Sequence, residues 1–88
     1  MLKIILHADK MTTQEAAQDH IMESFAFDGN YKKNMDDFYG YLMSIKSPMK
    51  VEIDDIGKLT DDLGRYGLGL IKILTDASKE NDNIVFKL

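Results

Sequence analysis

Asp36 and Asp37, followed within two turns by Tyr39, Gly40 and Met43, are the residues of this chain whose types and spacing invite chemistry, and the chemistry is that of contact. At about 100° per residue along a helix, Asp36, Gly40 and Met43 share one strip, with Tyr39 beside it. Met35, Phe38, Leu42 and Ile45 recur at steps of three and four and form a separate, core-facing stripe. An acid, an aromatic, a glycine and a methionine on the outer flank of an anchored helix read as a surface for a partner. Gly40 is costly there, since a mid-helix glycine loses roughly 1 kcal/mol against alanine. Close packing against another backbone, inside the domain first and in a partner second, is the expected offset.

The remaining reactive groups assemble into little. His7 and His20 are the only histidines, each without a second histidine at ligand spacing, so no metal and no cofactor are expected. Asp54 and Asp55 follow a strand pattern, where carboxylates could hold magnesium or accept a phosphoryl group; a helix cap is the simpler reading. The glycines at 64, 67 and 69 miss the dinucleotide-binding spacing, and no strand precedes them. No serine sits in a nucleophile-elbow sequence, and cysteine is absent. The chain does not read as an enzyme.

The elements that would position these residues are legible. Leu2, Ile4 and Leu6 alternate as a first strand. Thr12 and Glu15 match a capping box ahead of a helix from about Thr13 to Phe25, and Asp28-Gly29-Asn30 supplies turn chemistry after it. A second helix is expected from Asn34, its cap, to Lys46, stopped by Ser47-Pro48. Met49, Val51 and Ile53 alternate against Lys50, Glu52 and Asp54, predicting a strand with one wet face at a sheet edge. A short helix runs from Asp54-Asp55 to Leu63-Gly64, and a longer one from Tyr66 to about Lys79. A last strand covers Ile84 to Leu88. Some thirty residues separate successive strands, which excludes hairpins and favours right-handed parallel crossovers. The expected fold is α/β: a small three-stranded parallel sheet with helices mainly on one face, in the order β-α-α-β-α-α-β.

At 88 residues, one domain spanning 1–88 is expected. No apolar run reaches the roughly 20 residues that cross a bilayer, and MLKIIL lacks the form of a signal peptide, so a cytoplasmic protein with no membrane contact is expected. The formal charge of −4, with Lys and Arg scattered, disfavours nucleic acid and steers the molecule toward basic partners.

Tyr31-x-x-Asn34-x-Asp36 entering a helix with Phe38, Tyr39 and Leu42 resembles the barstar family of ribonuclease inhibitors. The order of the surrounding elements is similar over nearly the whole chain. The resemblance implies an inhibitor, monomeric when free, that places this helix and its preceding loop in the cleft of a basic ribonuclease, carboxylates standing in for substrate phosphates. It assigns partner contacts to Tyr31, Asn34, Asp36 and Tyr39, and an acidic contact to Asp76 on the last long helix. Asp37 could add a carboxylate, and Gly40 and Met43 complete the strip. Gly40 stands where the family's main anchoring carboxylate is expected, and Lys32 replaces a loop glycine. The alternative is therefore an interaction module of the same fold with a changed or lost target.

Overall fold

Alternating apolar residues in three short segments build the sheet. The computed structural model describes residues 1–88. Strands β1 (Leu2–Leu6), β2 (Met49–Ile53) and β3 (Ile84–Phe86) lie parallel in the order β1-β2-β3. Leu2 pairs with Met49 through to Leu6 with Ile53, and Met49 to Val51 pair with Ile84 to Phe86. Four helices intervene: α1 (Gln14–Phe25), α2 (Met35–Met43), α3 (Ile56–Leu63) and α4 (Arg65–Glu80). A 3-10 turn at Ala8–Lys10 follows β1. The order is the expected β-α-α-β-α-α-β.

The edge position expected for β2 is wrong: it is the central strand. Its period-two pattern reports an uncovered sheet face, on which Glu52 pairs with Lys3 at 3.3 Å and with Lys50 at 3.4 Å. A wet face and a wet edge give the same alternation in one strand, and only the pairing tells them apart. The covered face carries Ile4, Leu6, Met49, Val51, Ile84 and Phe86, which join Ala17 and Ile21 of α1, Phe38 and Leu42 of α2, Leu59 of α3 and Leu70, Leu74 and Ala77 of α4 in one buried cluster.

Helix boundaries follow local hydrogen bonding. Thr13, not Thr12, caps α1, its hydroxyl accepting the Ala16 N–H at 3.1 Å, so the Thr12–Glu15 box does not form. The helix stops at Ala26 in the left-handed region (φ 55°), before the Asp28-Gly29-Asn30 turn. Asn34 caps α2 as expected, while α2 ends at Met43 rather than Lys46. Beyond it, the buried Asn81 amide donates to the carbonyls of Leu42 and Ile45 at 3.0 Å each, and Asn83 Nδ2 donates to Ile45 at 3.2 Å. Those bonds draw chain that would continue the helix toward the end of α4.

Glycine is required where α3 crosses α4. A Cβ on Gly67 would lie 3.0 Å from the Leu59 carbonyl oxygen and 3.3 Å from Leu63 Cβ. Gly67→Ala is therefore expected to destabilise the protein by about 1–3 kcal/mol through overpacking, measured as a lower urea midpoint with an unchanged denaturant slope.

Candidate functional site

The site begins with the loop that leads into α2. Leaving α1, Phe27 packs among aromatics: its ring centroid lies 5.1 Å from Phe25, 4.8 Å from Tyr31 and 4.7 Å from Tyr41. Asp28 accepts the Asn30 N–H at 3.0 Å and the Tyr41 hydroxyl at 2.7 Å, fixing the turn to α2. The hydroxyl bond holds the Asp28 carboxyl below its usual pKa and pushes the Tyr41 phenol up to about 12. Lys33 adopts a left-handed conformation (φ 56°), and its ammonium meets Asp19 of α1 at 2.7 Å.

Two of the expected contact residues hold the helix entry. The Asn34 side chain accepts the Asp37 N–H at 2.7 Å, and the Asp37 carboxylate reaches back to the Lys32 N–H, also at 2.7 Å. Both bonds tie loop to helix, and the negative Asp37 suits the positive end of the helix dipole. Asn34 remains exposed at this corner, whereas Asp37 is half-buried.

Tyr31 lies inside the molecule. It is 4% exposed, and its hydroxyl donates to Gln18 Oε1, while Gln18 Nε2 donates to the Tyr66 hydroxyl at 2.7 Å. Burial raises the Tyr31 phenol well above its ordinary pKa. The chain Tyr31–Gln18–Tyr66 links the loop to α1 and α4, so the ring positions the loop from beneath. Spacing alone could not distinguish this role from an exposed one. Gln18 at the Ala17/Ile21 face of α1 was the available signal, because a polar side chain on a buried stripe needs a partner.

The rest of the strip faces outward. Asp36 and Gly40 are exposed, Met43 is 36% exposed, and Tyr39 packs one side against the core while remaining half-exposed. Nothing lies within 4 Å of a Cβ placed on Gly40, which overturns the expectation of close packing inside the domain. The tight contact between α2 and α4 is instead at Gly69, where an added Cβ would meet Met35 Cε at 3.3 Å. Asp76 on α4 is half-buried and pairs with Lys72 at 2.8 Å, so its charge is partly neutralised within its own helix.

The two ends of β1 and β2 hold a second cluster. His7 Nδ1 and Asp54 Oδ2 are 2.9 Å apart, Asp54 Oδ1 accepts the Ala8 N–H at 2.9 Å, and His20 Nε2 accepts the His7 N–H at 3.0 Å. The Ala8 bond, then the His7 contact, keeps the Asp54 carboxyl below its usual range, and burial lowers His20. Asp55 does not join Asp54: it caps α3, accepting the Lys58 N–H at 3.0 Å. The sequence gives no sign of the His7–Asp54 meeting, which depends on the β1–β2 register.

The molecule thus sets four helices on a parallel sheet, with an exposed acidic flank on the shortest but one of them. The chain matches the family described as Barstar (barnase inhibitor) over residues 1–88 and belongs to that family, whose members bind and inhibit ribonucleases rather than acting as enzymes. No curated protein matches it closely enough to count as a relative. No helix is long and apolar enough to cross a membrane.

Two outcomes follow for single variants. Tyr31→Phe is expected to lower stability by about 1–3 kcal/mol in urea unfolding, because it leaves the buried Gln18 oxygen without its donor. Asp28→Asn is expected to bring the titration of Tyr41 down from about 12 toward 10, read as tyrosinate absorbance, since the negative acceptor that stabilises the protonated phenol is gone.

Proposed function

We propose that the protein inhibits a basic ribonuclease by laying the exposed flank of α2, with the loop entering it, over the enzyme's phosphate-binding cleft. The observation that carries this reading is the exposure of Asp36, Tyr39, Gly40 and Met43 along one flank of α2 in a member of the barstar family. The helix contains two acids and no base, and the whole chain carries −4. A cleft built to gather phosphate with Lys, Arg and His attracts such a surface from a distance and pairs with it on contact.

Within the flank, Asp36 is the acid with no partner in its own chain, so its full charge is available. Tyr39 offers a ring face to a guanidinium and Met43 an adaptable apolar contact. Asn34 and Asp37 act chiefly by fixing the helix entry, and Tyr31 by supporting the loop. Asp76 contributes only by exchanging Lys72 for a cation of the enzyme. The free protein is monomeric and works in the cytoplasm, as a single domain without cofactor, nucleic acid or membrane.

The emptiness around Gly40 favours a second reading, a barstar-like interaction module with a different target. A carboxylate at this position would have had room, so its absence is not imposed by the fold. The deciding experiment is titration of barnase-type ribonucleases against the protein at several salt concentrations. Inhibition at a one-to-one ratio that weakens with salt supports the inhibitor; Asp36→Ala should then raise Kd about tenfold or more, equivalent to about 1.4 kcal/mol, without changing unfolding. Binding indifferent to both salt and Asp36→Ala would remove the electrostatic account. Gly40→Asp that converts a non-inhibitor into an inhibitor would show that glycine at this position removes the ribonuclease as a target, as a changed or lost target requires.

A further inference from the structure

The cluster at the ends of β1 and β2 has a use that the α2 surface does not touch. We propose that His7, Asp9 and Asp54 form a binding site for a divalent transition-metal ion, with Zn2+ the ion best suited to its donors.

The geometry comes from backbone pairing rather than from adjacency in sequence. One ligand atom from each residue lies within 4.8 Å of the other two. A point therefore exists within about 2.8 Å of all three, and small side-chain rotations bring it to the roughly 2.0–2.2 Å of zinc–nitrogen and zinc–oxygen bonds. The supports are firm. His7 directly follows β1, and its N–H is held by His20 Nε2 at 3.0 Å. Asp54 directly follows β2, its N–H bonded to the Leu6 carbonyl at 3.1 Å and its Oδ1 to the Ala8 N–H. Asp9 sits in the 3-10 turn closed by Lys10 N–H to His7 O at 2.9 Å and Met11 N–H to Ala8 O at 3.0 Å.

The donor set selects the class of ion. One imidazole nitrogen with two carboxylates suits a borderline cation, whereas magnesium and calcium favour oxygen throughout. The Asp9 carboxylate forms no hydrogen bond or ion pair with the rest of the chain and is free to turn inward. Lys58, the cation that acts on it from α3, is already paired with Asp62 at 2.9 Å. Metal binding requires the neutral imidazole with its proton on Nε2, so that Nδ1 faces the ion and the ion takes the place of the proton between Nδ1 and Asp54 Oδ2. Water fills the remaining positions. His20 is excluded as a ligand through Nε2, which the His7 N–H occupies.

The probe is Zn2+ added to the untagged full chain, followed by amide NMR, with Co2+ substituted to read ligation from its visible absorption. Saturation at one equivalent is expected, with shifts concentrated at His7 to Lys10 and Asp54, a rise in thermal midpoint and a Co2+ spectrum altered from that of the aquo ion. His7→Gln and Asp54→Asn should each abolish saturation, whereas Asp82→Asn, remote from the cluster, should retain it. Asp54→Asn keeps the oxygen that accepts the Ala8 N–H. Should His7→Gln fail to fold, Asp9→Asn decides the matter, because Asp9 is exposed, makes no internal bond and must still weaken binding at least tenfold. Shifts that never saturate and spread over Asp61, Asp62 and Asp82, or unchanged binding in Asp9→Asn, would overturn the proposal.

Discussion

Helix α2 spans nine residues, fewer than a helix needs to persist alone in water, so the orientation of its outward flank depends on how this segment is held. Three constraints act together. Phe38 and Leu42 are wholly buried and fix which side faces out. Asn34 and Asp37 satisfy backbone donors at and before the first turn, and Asn81 satisfies carbonyls at and beyond the last. The outward flank is thus specified by residues that lie beneath it or at its two ends, and α2 is ordered before any contact is made.

The same economy divides the acidic residues. Asp28 is bound to Tyr41, Asp37 to the Lys32 amide, Asp55 to the Lys58 amide, Asp62 to Lys58 and Asp76 to Lys72. Counting carboxylates along the sequence therefore overstates the charge available for binding. Asp36 stands apart on α2 because, unlike Asp37, its carboxylate is engaged by no hydrogen bond or ion pair within the chain. Attraction at long range draws on the sum of all these charges, whereas the contact itself can use only those with free lone pairs.

What the sequence made legible was whatever repeats along one element. The strands at Leu2–Leu6 and Met49–Ile53, the Phe38–Leu42 stripe and the Asn34 cap each follow from spacing within a few residues. What it concealed depends on contacts between elements. The placement of β2 at the centre, the burial of Tyr31 over Gln18 and the meeting of His7 with Asp54 require the sheet register and the packing of α1 against the loop. The candidate site was half visible for the same reason: the outward flank of α2 is a local property, whereas the roles of Tyr31 and Asp76 are decided by other helices or by a salt partner.

Gly40 joins these strands of argument. Glycines 67 and 69 face nearby atoms that a methyl group would crowd, so folding accounts for both. At Gly40 the space is open and the backbone lies in an ordinary helix, so neither packing nor a left-handed conformation calls for glycine. A residue that weakens a nine-residue helix by roughly 1 kcal/mol, in a segment whose ends need three side chains to hold them, is opposed by folding alone. The fold itself supplies no reason for glycine here. With no side chain at Gly40 and open space beside it, the main chain of α2 is uncovered at this point of the outward flank.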